Sequence, residues 1–252
     1  MYKSSTTAGA PALCGALSVL LLLGSAAAPL TAEPRQQGEA DELVVYLIDH
    51  QLISHDELAT IQTEIEAVFR SQARVAVRWV VDDSPRRTLQ AGELRFLILA
   101  SDGTRWFHGP SNVIGLAPHD DSGVGRNCFV FYRQALWFRQ QAVLRCREAT
   151  RARAQAEAAG LEPNAAIEQL APAECGAYLP ALAPLVVARA AAHEMVHILL
   201  NKLDHSGSGL MRESFDLREW LTGEPESFRL LPDEVAALQD LFGVSTAIPA
   251  GR

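Results

Sequence analysis

Residues 184–211, PLVVARAAAHEMVHILLNKLDHSGSGLM, carry the stretch on which the fold turns. Pro184 suits the first turn of a helix. From Leu185 to Leu200 every side chain is apolar except Arg189, His193, Glu194 and His197. A helix so apolar on all sides is buried, and polar groups buried within it need partners. His193 and His197 stand one turn apart, so their ring nitrogens can point at a single metal ion, and Glu194 is placed to face a water on that ion. Asn201 is expected to end the helix, because asparagine tolerates the left-handed conformation that turns the chain back toward the metal. A catalytic zinc site takes three protein ligands and keeps a fourth position open. His205, in the run Leu203-Asp204-His205-Ser206, is the leading third ligand. Asp204 competes from the same loop, and Glu213, Glu219 or Glu234 would serve a two-histidine, one-glutamate plan.

Working outward toward the N-terminus, Leu43–Ile48 (LVVYLI) reads as a buried strand. Ser54 and Glu57 form a capping-box signature. Leu58, Ile61, Ile65 and Val68 follow at helical spacing, which predicts a helix from about Ser54 to Ser71. Val75–Val81 and Leu94–Ala100 are further strands, so the order strand, helix, strand is a βαβ unit with a parallel pair. Val113, Ile114, Gly115, Leu116 and Ala117, set between the Gly109-Pro110 turn and Pro118, suit an edge strand, and Cys128–Tyr132 a more apolar one. The stretch from Gln134 to about Ala159 has helical composition, and Gly160–Pro180 reads as loop. The Arg145, Arg147, Arg151 and Arg153 cluster reads as a solvated helix face, and His119-Asp120-Asp121 as an acidic turn able to take an auxiliary calcium or zinc ion.

HEMVHILLNKLDHSGSGLM, residues 193–211, resembles the metzincin zinc peptidases, in which H-E-x-x-H is followed by a third ligand and then by a methionine in a tight turn. Met211 matches that turn residue, and Leu231–Gly243 resembles the final helix of the matrix-metalloproteinase branch. The resemblance implies an α/β zincin fold: a twisted mixed sheet of about five strands with one antiparallel edge strand, an active-site helix and a C-terminal helix. It also implies a zinc-dependent endopeptidase in which His193, His197 and His205 hold Zn2+ and Glu194 is the general base. Met211 would support the site, and an extended peptide or protein substrate would lie along Val113–Ala117, with side-chain preference set beside His197 and Arg212–Phe215. Two features depart from the pattern. The third histidine follows the second by eight residues instead of six, with Leu200 in place of the family's glycine, and a helical insertion stands at about 134–180. This arrangement looks like a bacterial secreted variant. A secreted zinc-stabilised binding domain without catalysis, and a zinc amidase acting on cell-wall peptides, are the competing readings.

The remaining composition is compatible with this. Of 252 residues, 48% are hydrophobic and 21% charged, as in a folded domain rather than a disordered chain. The net charge is -8, which disfavours a nucleic-acid partner. Lys3, the apolar run Ala12–Leu23 and the small residues Gly24–Ala28 read as a signal peptide over 1–32, leaving 33–252 as one catalytic domain. No later run reaches about 18 consecutive apolar residues, so a secreted or periplasmic mature chain is expected, and it is read as a monomer. Removal of the signal leaves Cys128, Cys146 and Cys175, of which Cys146 and Cys175 are the favoured disulfide pair.

Overall fold

A computed structural model of the chain describes residues 42–48, 52–81, 88–100, 113–120, 123–160, 179–215, 219–220 and 225–244. Among the described residues the architecture is α/β, with a five-stranded mixed sheet and four helices. In chain order the elements are β1 (Glu42–Ile48), α1 (His55–Ala67), β2 (Ala76–Val81), β3 (Glu93–Leu99), β4 (Gly115–Leu116), β5 (His119–Asp120), β6 (Gly123–Val124), β7 (Asn127–Phe131), α2 (Tyr132–Ala158), α3 (Leu182–Leu200) and α4 (Pro232–Phe242). The sheet runs β2-β1-β3-β7-β4. All neighbours are parallel except β4, which pairs antiparallel with β7 at the outer edge. That is the expected βαβ start and the expected antiparallel edge. The edge strand itself is shorter than its sequence suggests, spanning Gly115–Leu116 within 113–117.

β1 lies between two strands and is buried from Leu43 to Leu47, which explains why its sequence shows no alternation. β3 alternates: Leu94, Phe96 and Ile98 have no exposure. Full burial of side chains of this size contributes about 1.5–3 kcal/mol each. α1 begins at the foreseen capping box, with the Ser54 backbone N–H donating to Glu57 and the Glu57 N–H donating to Ser54 Oγ. It runs on through a wider π-helical turn, Val68–Ala73, and stops where Arg74 takes the left-handed conformation. The sequence pattern places that end two residues early, because a π turn keeps Phe69 and Ala73 buried without changing the helical spacing before it.

α2 starts directly from β7, with no connecting loop, and extends for 27 residues. Its later turns are solvated, with Arg145, Arg147 and Arg151 exposed, as their composition implies. Cys146 on this helix is disulfide-bonded, whereas Cys128 is a free buried thiol whose Sγ lies 3.7 Å from the Ala191 carbonyl. Cys175, the signal segment 1–32 and residues 161–178 of the expected insertion lie outside the described residues. α3 packs against α1, α2, β4, β7 and α4. It is long and apolar enough to cross a bilayer, but 83% of its most apolar window is buried inside the fold, so here it is the core helix.

The N-termini of α1 and α2 are joined by the Tyr132 hydroxyl, which donates to Glu57 Oε1 at 2.6 Å. This bond, reinforced by Ser54, holds the Glu57 carboxyl below its ordinary value. A depressed folded pKa means that the ionised carboxylate stabilises the fold above the unfolded value, and the effect is lost as pH falls through the folded one. Tyr132→Phe is therefore expected to lower unfolding free energy by about 1–2 kcal/mol at pH 7. In urea titrations the difference from wild type should shrink at pH 3, and a pH-independent difference would contradict the assignment.

Candidate metal centre

α3 carries His193 and His197 on one face and ends at Leu200, with Asn201 in the left-handed conformation (φ 47°, ψ 44°) that the sequence requires of it. Asn201 also holds the return path, since its Oδ1 accepts the Val124 backbone N–H at 2.8 Å and so ties the helix end to β6. The chain then comes back over the helix and sets His205 beside the other two rings. Ring centroids lie 5.2 Å from His193 and 4.9 Å from His197. The ligand atoms of His193, His197 and His205 are all within 4.8 Å of one another. Imidazole–zinc bonds are about 2.0–2.1 Å long, so two donors on one ion stand at most about 4.2 Å apart, and the His193 and His197 Nε2 atoms, 3.0 Å apart, fall within that span. These three histidines form a group that could hold a metal ion.

Hydrogen bonding fixes which nitrogens converge. His193 Nδ1–H donates to the Leu210 carbonyl at 2.7 Å and His197 Nδ1–H to the Lys202 carbonyl at 2.5 Å. A carbonyl can only accept, so each Nδ1 carries the proton and each neutral ring presents a bare lone pair at Nε2. Those two Nε2 atoms face each other at 3.0 Å. Burial holds His193 down to about 4 and lowers His197 as well, so both rings are neutral near pH 7. Two lone pairs opposed at that distance repel unless a cation lies between them, and this is the donor chemistry of a metal site.

Backbone carbonyls that orient the rings have no sequence signature, yet each is braced. The Leu210 N–H donates to the Arg229 carbonyl at 2.8 Å while its own carbonyl receives His193. Gly209 makes that approach possible: its φ is +72°, and a Cβ there would overlap the Arg229 carbonyl oxygen. Met211 is fully buried, and its carbonyl accepts the Ser206 N–H at 2.7 Å, closing the loop that bears His205. Lys202 is steadied through Glu234, whose Oε1 lies 3.7 Å from Lys202 Nζ and accepts from Ser206 Oγ at 2.7 Å. The other Glu234 oxygen accepts the Leu231 N–H at 2.8 Å. Glu234 is therefore occupied as a brace and is not in the ligand group. Glu219 is tied to Arg212 and Ser227, and Asp204 and Glu213 are exposed outside the histidine group. Of the acidic turn read as a possible cation loop, His119 and Asp120 form β5, paired with β6 as a short ribbon, and Asp121 lies outside the described residues.

Glu194 sits against the edge strand. A Cβ on Gly115 would lie 2.8 Å from Glu194 Cγ, so β4 can run this close only because position 115 is glycine. Burial pushes the Glu194 carboxyl up to about 7, against the pull of a hydrogen bond from the Ala117 backbone. Residues 113–117, the three histidines and Glu194 all line one cleft of about 720 Å³, whose lining also includes Phe138, Arg189, Arg212, Phe215 and Trp220. Arg189 appears in the sequence only as one charge in an apolar helix, and here it is buried in the cleft wall one turn before His193. No protein-family model matches the sequence, and no curated protein is similar to it.

Gly209→Ala is expected to destabilise the fold by about 1–3 kcal/mol, since it combines a strained left-handed residue with a backbone overlap. By displacing the Leu210 carbonyl it should also weaken divalent-metal binding about 10–100-fold in a competitive chelator titration. Unchanged affinity would mean that Leu210 does not orient His193.

Proposed function

We propose that this chain is an exported zinc-dependent endopeptidase of the metzincin type. The observation that carries the reading is the convergence, in one cleft, of three imidazoles with a glutamate carboxylate seated against the outer edge strand of the sheet. Among the described residues no fourth histidine, cysteine or carboxylate joins the group, and His205 is exposed at its mouth. That supports a catalytic centre over a closed structural one, which would be fully coordinated by the protein. The H-E-x-x-H spacing, the supporting methionine and the C-terminal helix favour the metzincin type, and the apolar segment before residue 32 favours export.

A zinc ion held by His193, His197 and His205 would polarise the scissile carbonyl and make a water acidic enough to lose a proton near neutral pH. The protein's own groups do the rest. The Leu210 and Lys202 carbonyls keep the rings in the tautomer that donates from Nε2 outward. A substrate backbone lies extended along Gly115–Leu116, whose inner side is already paired with β7, and adds as a further strand. Main-chain pairing places the scissile carbonyl between the histidines and Glu194 without demanding a particular sequence. Glu194 takes the proton from the attacking water at a carboxylate oxygen, then returns it to the departing amine.

Glu194→Gln should leave zinc stoichiometry intact while peptide hydrolysis, followed with a quenched fluorescent casein digest, falls by about 10²–10⁴. Chelation should abolish the wild-type rate and added zinc should restore it. Full hydrolysis by the Glu194→Gln protein would end the peptidase reading, and stoichiometric zinc without hydrolysis of any peptide would favour a binding domain.

A further inference from the structure

Resting on the peptidase reading, we propose that the cleft selects substrates by a carboxylate group, and that Arg189 is the residue that reads it. Arg189 is only 7% exposed and is the one cation in an otherwise apolar run of α3. Its guanidinium is held on two sides. Nε donates to Glu64 Oε1 on α1 at 2.8 Å, and the guanidinium carbon lies 4.0 Å from the centroid of the Phe228 ring. Nη1 is buried and has no acceptor among the described residues. A fixed cation with an unused, desolvated N–H is an unfavourable arrangement for a merely structural ion pair, and it is the arrangement expected of a donor waiting for a ligand.

The surroundings say which ligand. Arg189 lines the same cleft as the histidines and lies one helical turn before His193, so a group bound to it is next to the reacting bond. The neighbouring wall is aromatic. Phe215 stacks on Phe228 with centroids 4.8 Å apart, and Trp220 packs 5.3 Å from Phe215 and 5.9 Å from Phe138. Of these rings Phe228 lies under the Arg189 guanidinium, and Phe215 backs it on the other face. Glu64 engages only Nε, and Arg212, which lines the same cleft, also carries an unpartnered buried Nε, so two guanidinium groups there hold unused donors. A planar carboxylate is the complement of a guanidinium edge, and its hydrogen bonds are roughly twice as strong as those of a neutral amide.

A carboxylate can come from an acidic side chain or from a free C-terminus, and the test separates the two. Short peptides in which each position in turn is Glu, Gln or Leu, with either a free or an amidated C-terminus, are titrated by fluorescence anisotropy into zinc-loaded Glu194→Gln protein. The wild type digests the same set. At one position Glu should bind at least about tenfold tighter than Gln whatever the terminus, or the free acid should bind at least about tenfold tighter than its amide whatever the side chain. The first result assigns an acidic side chain, the second a terminal carboxylate. In Arg189→Leu/Glu64→Leu, which removes both members of the ion pair and strands no charge, the preference should fall to within about twofold. Arg189→Lys keeps a cation beside Glu64 and loses the second donor, so it should lose most of the preference too, and it tests the idea even if the double variant does not fold. Equal binding of Glu, Gln, free and amidated peptides, or a preference that survives both variants, overturns the proposal. Carboxylate-selective binding without cleavage by the wild type would leave Arg189's role standing and remove the peptidase reading; cleavage indifferent to carboxylates would do the reverse.

Discussion

Two hydrogen bonds from histidine Nδ1–H groups to backbone carbonyls, one at Leu210 and one at Lys202, set the chemistry of this molecule. They decide the tautomer of both rings, and by doing so they turn two Nε2 lone pairs toward each other at a distance neutral imidazoles would otherwise avoid. Burial supports the same outcome, because protonating either ring within the core is disfavoured. The cluster is thus preorganised as a donor set, at the expense of a repulsion that a cation relieves.

Much of the fold keeps those two carbonyls where they are. The Leu210 peptide is held from both ends, by the Arg229 carbonyl and by His193, and it sits beside a glycine at a φ that other residues rarely adopt. The Lys202 segment is held by the left-handed Asn201 and by Glu234, which caps the start of α4 with one oxygen and grips the His205 loop with the other. α4, far from the histidines in sequence, therefore acts as a buttress for the third ring. A single buried carboxylate connects a helix terminus, a loop and the ligand set, so disturbance at any of the three reaches the others.

The clearest elements in the sequence were those whose pattern is local. The capping box at Ser54 and Glu57, the strand β3, the apolar α3 and the left-handed Asn201 follow from nearest-neighbour chemistry, and all four stand where their residues put them. Boundaries were less legible where a local pattern has two continuations. The π turn after Ala67 preserves the apolar spacing of the helix before it, and the edge strand narrows to Gly115 and Leu116, which stand in register with Val130 and Phe129 of β7. Glu234 looked like a possible ligand because a carboxylate's type does not reveal its partner; its burial and two engaged oxygens do.

From its residues alone the chain discloses the candidate ligand types, their spacing and the helix that carries them, because a one-turn interval between histidines is a property of the α-helix wherever it lies. Folding in three dimensions contributes everything that depends on groups distant along the chain: the return of His205, the choice of Leu210 and Lys202 as ring partners, the approach of Glu194 to Gly115, and the unused donor of Arg189. Backbone carbonyls are identical at every position, and a side chain's identity carries no record of what will be packed against it. Those relations exist only once the distant segments have met.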